Sequence, residues 1–301
     1  MTLEEARKKI KPLDEEKMET ARKRWDSIAK PLHSLGKMED LITQIVGITG
    51  EVKVDIGKKA LVAMCADNGV VEEGVTQTGQ EVTGIVADNF VKETTTACVM
   101  CHQCGVAVKP VDVGMVKDTT ARTDLKVMYG TRNMTKGPAM TREEAVKGIE
   151  AGIAMAEELK AQGYRLLATG EMGIGNTTTS SAVASVLLDQ PVETMTGRGA
   201  GLSSDGLTRK INAIKKAIAL NEPDPSDPID VLAKVGGLDI AGMAGGLSWR
   251  SRFADSGADR WLYLRSSSPC GCRNLSAGKR LYERKPCLQR AGSASGSGKA
   301  W

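Results

Sequence analysis

The segment Gly170-Glu-Met-Gly-Ile-Gly-Asn-Thr-Thr-Thr179 holds the residue types that handle an anion. Glycines at 170, 173 and 175 let the backbone turn sharply and bring N–H groups onto a negative oxygen, and a helix opening behind them adds its positive end. Neither a Walker loop nor a dinucleotide fingerprint fits, because the segment has no Gly-Lys-Ser/Thr and no correct G-x-G-x-x-G spacing. A plain strand-to-helix turn would use the same glycines, and spacing leaves that choice open. Glu171 leans toward a site, since a carboxylate inside an anion-binding turn costs Coulomb energy unless it has a partner or a role.

Two further segments carry polar groups in the same style. Thr196-Gly-Arg-Gly-Ala-Gly-Leu-Ser-Ser-Asp-Gly206 leads into a helix over Leu207 to Leu220, on which Lys210 faces back toward the loop. An Arg and a Lys beside such a turn suit a phosphate or a ribose; the competing reading is a flexible loop and a solvated Lys. Asp67-Asn-Gly-Val-Val-Glu-Glu-Gly-Val-Thr-Gln-Thr-Gly-Gln-Glu-Val-Thr83 offers acids and amides at the end of an apolar run, or is a plain surface loop.

Cys98-Val-Met-Cys101-His102 has the spacing of a haem attachment site, and Cys104 invites a metal reading. The haem reading needs export, and positions 98, 101 and 104 fall near one helix face, where Cys serves as a small core residue. His33, in Pro31-Leu-His-Ser-Leu-Gly36, reads as a structural histidine beside a turn. No metal or cofactor is expected.

The elements that position these segments alternate. Ala60-Leu-Val-Ala-Met-Cys-Ala66 reads as a buried parallel strand entering a loop at Asp67-Asn68-Gly69. One helix is expected from about Thr83 to Cys104, a second strand over Gly105 to Gly114, and a long helix opened by the capping box Thr141-Arg-Glu-Glu144 and ending near Gln162. Arg165 to Thr169 is the third strand, followed by the Gly170–Asn176 turn and a small-residue helix over Thr177 to Leu188. Strand, loop, helix, strand predicts an α/β fold with a doubly wound, mostly parallel sheet, which binds ligands at the carboxyl ends of its strands. Residues 1–50, with the helix-like Met38 to Val46, form a separate helical segment, and 51–246 form the nucleotide-binding α/β domain.

Among 301 residues, 41% are hydrophobic and only 3% aromatic, enough for a proper core. No run of eighteen apolar residues occurs, and the charged start Met1 to Ile10 has no apolar signal core, which predicts a cytoplasmic protein without a membrane span. The net charge of +4 is unevenly placed. Leu247 to Trp301 holds eight Arg and three Lys against Asp255, Asp259 and Glu283, so the first 246 residues carry +4 − 8 = −4 and offer no basic face to nucleic acid. The same tail lacks Val, Ile, Met and Thr and holds three of the four Trp. It is expected to be disordered, as an out-of-frame translation or as a natural basic tail.

At its glycine segments the chain resembles the nicotinate-nucleotide:dimethylbenzimidazole phosphoribosyltransferase family. The resemblance rests on Gly-Glu-Met-Gly-Ile-Gly-Asn-Thr-Thr-Thr, Thr-Gly-Arg-Gly-Ala-Gly-Leu, the Ala66-Asp-Asn-Gly-Val-Val-Glu-Glu-Gly-Val75 block with Gln80-Glu-Val-Thr83, and Val235-Gly-Gly-Leu-Asp-Ile-Ala-Gly-Met-Ala244, in order over residues 30 to 246. It implies transfer of phosphoribose from nicotinate mononucleotide to a benzimidazole-type base, yielding an α-ribazole phosphate and nicotinate for cobalamin assembly. It also implies a Rossmann-like sheet with a small helical domain from both chain ends, in a homodimer. Glu171, Gly173, Ile174, Gly175, Asn176 and Thr177 would hold phosphate and ribose, with Lys210 and Gly199 beside them; Glu171 and Lys210 would serve catalysis, and Gln80 would line the base pocket.

The chain departs from the family after Gly246. The family's catalytic glutamate stands in a Ser-His-x-Ser-x-Glu stretch, and nothing like it follows here; Glu283, in Tyr282-Glu-Arg284, is the only late acid. A frameshift near Gly246, with poor activity of the chain as written, is the expectation. The rivals are a catalytically inactive nucleotide-binding paralogue and a truncated paralogue whose basic tail recruits a partner.

Overall fold

The computed structural model describes residues 1–8, 12–248 and 262–264. Three parallel strands form its centre: β1 (Lys59–Ala66), β2 (Val106–Gly114) and β3 (Leu166–Met172), with β1 between the other two. A short β4 (Leu262–Leu264) runs parallel along the outer edge of β3, so the order is β2-β1-β3-β4. The tail was expected to lack regular structure, and these three residues depart from that; the rest of the tail from Trp249 lies outside the described residues.

Successive side chains of β1 point to opposite faces and both faces are covered, which is why the strand is an unbroken apolar run. Ala60, Val62, Met64 and Ala66 join the larger core with α6 (Arg142–Ala161) and α11 (Leu238–Ser248); Ala63 and Cys65 join the smaller one with α4 (Glu81–Val91) and α5 (Thr96–Gln103). The sheet is thus wound on both sides. α11 continues two residues past the expected Gly246 boundary.

Helices α6 and α11 touch through glycine. A Cβ on Gly152 would lie 1.9 Å from the Gly242 carbonyl oxygen, and one on Gly245 1.8 Å from that of Ile149. The expected capping box is present at the start of α6, with Thr141 and Glu144 bonding each other's backbone amides.

Residues 83–104 form two helices rather than the single one expected. α4 stops at Val91, Glu93 takes a left-handed φ of 58°, and Thr95 caps α5 by accepting from the Cys98 amide. A run of three threonines at 94–96 favours a cap over helix interior. Of the three cysteines expected on a core face, only Cys98 is buried; Cys104 is exposed at the end of α5.

The amino-terminal helices α1 (Leu3–Lys8), α2 (Glu15–Asp26) and α3 (Lys37–Thr49) precede the sheet. α1 is tied to α6 by the Leu3 amide on Glu150, while α2 and α3 pack on each other, and Gly50 ends α3 in the left-handed conformation. His33 is exposed in the turn between them, 3.8 Å from Glu39. Four more helices, α7 (Asn176–Leu188), α8 (Val192–Met195), α9 (Ser204–Asn221) and α10 (Pro228–Val235), follow β3. No helix among the described residues is long and apolar enough to cross a membrane.

Candidate functional site

β3 runs three residues further than its apolar stretch suggested, so Gly170 and Glu171 are strand residues, paired with Ala63 and Met64 of β1. The turn itself is Gly173-Ile174-Gly175. Both glycines are needed. A Cβ on Gly173 would lie 2.1 Å from the Ala66 carbonyl oxygen, and Gly175, at φ 94°, sits against Asn68 and Val71. Gly175 caps α7, whose first residues Asn176 and Thr177 stand at the positive end of a 13-residue helix.

The amides of the turn, expected to face an anion, divide. Ile174 donates to the Thr83 hydroxyl at 3.0 Å, and Asn176 donates back to the Gly173 carbonyl at 3.1 Å. That corrects the expectation for those two amides: buried Thr83 and the turn's own closure engage them. The amides of Gly175 and Thr177 carry no hydrogen bond among the described residues and lie at the helix start.

Lys210 reaches this point from α9. It is 1% exposed; its Nζ lies 2.8 Å from Thr177 Oγ1 and 3.3 Å from the Gly197 carbonyl oxygen, with no carboxylate in ion-pair range among the described residues. Burial alone lowers its pKa to about 8. An ammonium held out of water by a hydroxyl and a carbonyl is under-compensated, and an anion beside it would stabilise its charge. Gly199, at φ 56°, leaves the space: a Cβ there would lie 2.9 Å from Thr177 Oγ1 and 3.5 Å from Lys210 Nζ.

Gln80 comes in from the loop after β1, its Nε2 donating to the Asn68 carbonyl at 3.2 Å. That carbonyl would lie 3.4 Å from a Cβ on Gly175, so Gln80 borders the same turn. Gln77 and Arg209 join the two flanking loops by bonding the Gly201 and Gly74 carbonyls. The structure therefore gathers all nine predicted residues at the carboxyl ends of β1 and β3.

Glu171 keeps an exposed side chain at the mouth, yet protein crowds its carboxyl and raises its pKa, while the donating Asn176 amide pulls it down. Three more acids lie near these strand ends, all raised chiefly by burial: Asp67, Asp112 and Asp239. Asp112 is paired with Lys126 at 3.0 Å and accepts from the Gly114 and Met115 amides, whereas Asp67 accepts from Val116. Sequence reasoning passed over Asn68, Thr83 and Asp239. Their signal was polar residues inside or next to apolar runs, which the motif blocks contained. The cysteine cluster is elsewhere, on α5, and among the described residues no group of acids, His and Cys is placed to hold a metal.

This arrangement can fix a phosphoryl group between the Gly175 and Thr177 amides, the Thr177 hydroxyl and Lys210, with a carboxylate nearby to face positive charge.

A family model described as a phosphoribosyltransferase matches residues 10–249. Among curated proteins, the nicotinate-nucleotide–dimethylbenzimidazole phosphoribosyltransferase of Acetivibrio thermocellus is 53% identical over 240 residues, 79% of this chain and 68% of that protein. The protein so named from Ruminiclostridium cellulolyticum is 52% identical over 247 residues, 81% of this chain and 70% of its own. Among solved structures, CobT from Thermus thermophilus superposes with a TM-score of 0.73 at 38% identity, over 78% of this chain and 71% of that one.

Proposed function

Because the chain belongs to the family of nicotinate-nucleotide–dimethylbenzimidazole phosphoribosyltransferases, we propose that its site takes the phosphoribosyl group of nicotinate mononucleotide and delivers it to a benzimidazole-type base. The observation that carries this reading is Lys210, buried against Thr177 at the start of α7 with no counter-ion among the described residues. The phosphate anchors there. Glu171 faces the ribose carbon as the bond to nicotinate breaks and positive charge builds on the sugar, and Gln80 borders the space for the incoming base. Nicotinate leaves with the electron pair of the broken bond, the base nitrogen forms the new bond, and the proton of the base passes to a general base.

The chain as written lacks the Ser-His-x-Ser-x-Glu stretch, so turnover is the weak step and nucleotide binding the strong one. A break in reading frame near Gly246 accounts for the change of composition there, and the family match ends close by, at residue 249. Reading the coding DNA after codon 246 in its other frames tests this: a Ser-His and Glu segment is expected there, and its absence removes the explanation. For activity, protein is mixed with nicotinate mononucleotide and dimethylbenzimidazole and released nicotinate is measured. The frame-restored chain is expected to release it and the present chain to do so poorly. Binding without turnover by the restored chain would favour a non-catalytic nucleotide-binding role.

A cytoplasmic location and a homodimer belong to the same reading. Light scattering is expected to give twice the chain mass.

A further inference from the structure

Beneath the nucleotide turn lies a carboxyl group that the chemistry above does not use. Asp239 stands in the first turn of α11, fully buried; its oxygens have no well-formed hydrogen bond among the described residues, and its own amide, the Ile240 amide and the Asn68 side chain lie only close enough to ease its charge in part. Two glycines make room for it. A Cβ on Gly173 would lie 3.2 Å from its Oδ2, and a Cβ on Gly237 would lie 2.4 Å from its Oδ1. The same point at Gly237 is 2.4 Å from the side-chain oxygen of Asn68. The two oxygens thus border the same space, and the buried Asn68 Nδ2 is itself without a hydrogen bond among the described residues. Asn68 also touches Gly175, Gln80 and Thr179, so its placement sets the wall of the turn.

A buried carboxylate with no cation beside it is expensive, whereas a carboxylic acid can donate its O–H to the Asn68 oxygen, whose other donor, the Thr179 hydroxyl, lies at a long 3.4 Å. The groups facing Asp239 agree. Glu171 on β3 is an acid and opposes its ionisation, the Cys65 thiol on β1 is pushed up to about 12 and is neutral, and only the amides of Asp239 itself and Ile240 and the Asn68 side chain act the other way. Burial first, and Glu171 second, raise the Asp239 pKa to about 7.

We propose that Asp239 is a positioning residue for the phosphoryl-binding turn, holding Asn68 and Gly173 in place as a neutral carboxylic acid, and that nucleotide affinity falls when it ionises. The inference rests on the nucleotide reading above. A phosphoryl group in front of the turn and an Asp239 anion behind Gly173 would repel through a dry interior. Nucleotide binding therefore draws one proton from solvent onto Asp239 wherever the free protein has lost it.

Titration calorimetry of the full chain with nicotinate mononucleotide, from pH 6 to pH 8, tests this with wild type and Asp239→Asn. Lys210 and the nucleotide's own phosphate titrate in both proteins, so the difference between the curves reports Asp239. The variant is expected to match wild type at pH 6 and to bind about tenfold tighter than wild type at pH 8, from linkage to a group near pH 7. Parallel curves overturn the proposal, as does a cooperatively melting variant that binds weakly at every pH. Should that variant fail to fold, Asp239→Ser, also without a titrating group, takes its place in the same comparison with wild type and is judged by the same outcomes. If wild type binds no nicotinate mononucleotide at any pH, the proposed function falls and this inference with it.

Discussion

Lys210 is costly to the fold and, in the proposed function, necessary to the ligand. Its folded pKa lies below its unfolded one, so between about pH 8 and its ordinary 10.5 the unfolded chain binds more protons, and stability rises with pH across that window. Anion binding has the opposite sign, because it needs the charged form and weakens as pH climbs through 8. Replacing Lys210 with Met separates the two effects. The variant is expected to melt no lower than wild type at pH 7, since a buried charge is removed. It is also expected to bind nicotinate mononucleotide roughly ten- to a hundredfold more weakly, the worth of a charge-assisted contact. Thermal melts beside calorimetry measure both; a large loss of stability with affinity intact would make Lys210 a structural residue. Gly199 tests the same space from the other side. Ala there meets a left-handed φ of 56° and the Thr177 hydroxyl at 2.9 Å, and nucleotide affinity is expected to fall while the α/β core, and with it the far-ultraviolet circular dichroism, is unchanged.

At the level of elements, the contact of α6 with α11 decides where Asp239 and the Asn68 wall sit. Alanine favours a helix over glycine by up to about 1 kcal/mol. At Gly152, however, the added methyl would meet the Gly242 carbonyl 1.9 Å away, a backbone atom that cannot swing aside. The two helices would have to separate, and overpacking of this kind costs about 1–3 kcal/mol, so the clash wins. Gly152→Ala is expected to lower the urea midpoint accordingly. Gly137→Ala, where nothing lies within 4 Å, is expected to stay within about 0.5 kcal/mol of wild type. Equal midpoints for the two variants would show that the helices adapt freely.

For the whole molecule, charge separates the body from its tail. The first 246 residues carry −4 and residues 247–301 carry +8, so retention of the chain on a nucleic-acid column at low salt is expected to come from the tail. Removing residues 249–301 is expected to abolish it, because phosphate contacts by Lys and Arg supply non-specific binding. Retention of the shortened chain would point instead to a basic face on the body. In the other direction, restoring the family-like carboxyl-terminal region is expected to raise nicotinate release without changing nucleotide affinity by more than a few fold, since the proposed phosphoryl contacts all lie before residue 211.

Much of this was legible in the residues alone. The apolar run 60–66, the capping box at Thr141 and the glycine spacing at 170–175 report local physics: strand burial on two faces, a reciprocal side-chain cap, backbone freedom where no Cβ fits. They determined the three strands, the long helix and the neighbourhood of the site, and the motif blocks determined the family. What tertiary structure decided depends on groups far apart in sequence. No local signal says that the Ile174 amide will be taken by Thr83, that β3 will carry Glu171 into the sheet, or that the Thr94–Thr96 run will break one helix into two. Nor could sequence reveal that Lys210 would be sealed from water 33 positions from Thr177, or that Asp239 would come to rest between Gly173 and Gly237 with no well-formed hydrogen bond among the described residues. Spacing along a chain sets which conformations are cheap, whereas burial and unmet hydrogen bonds exist only once the elements have packed.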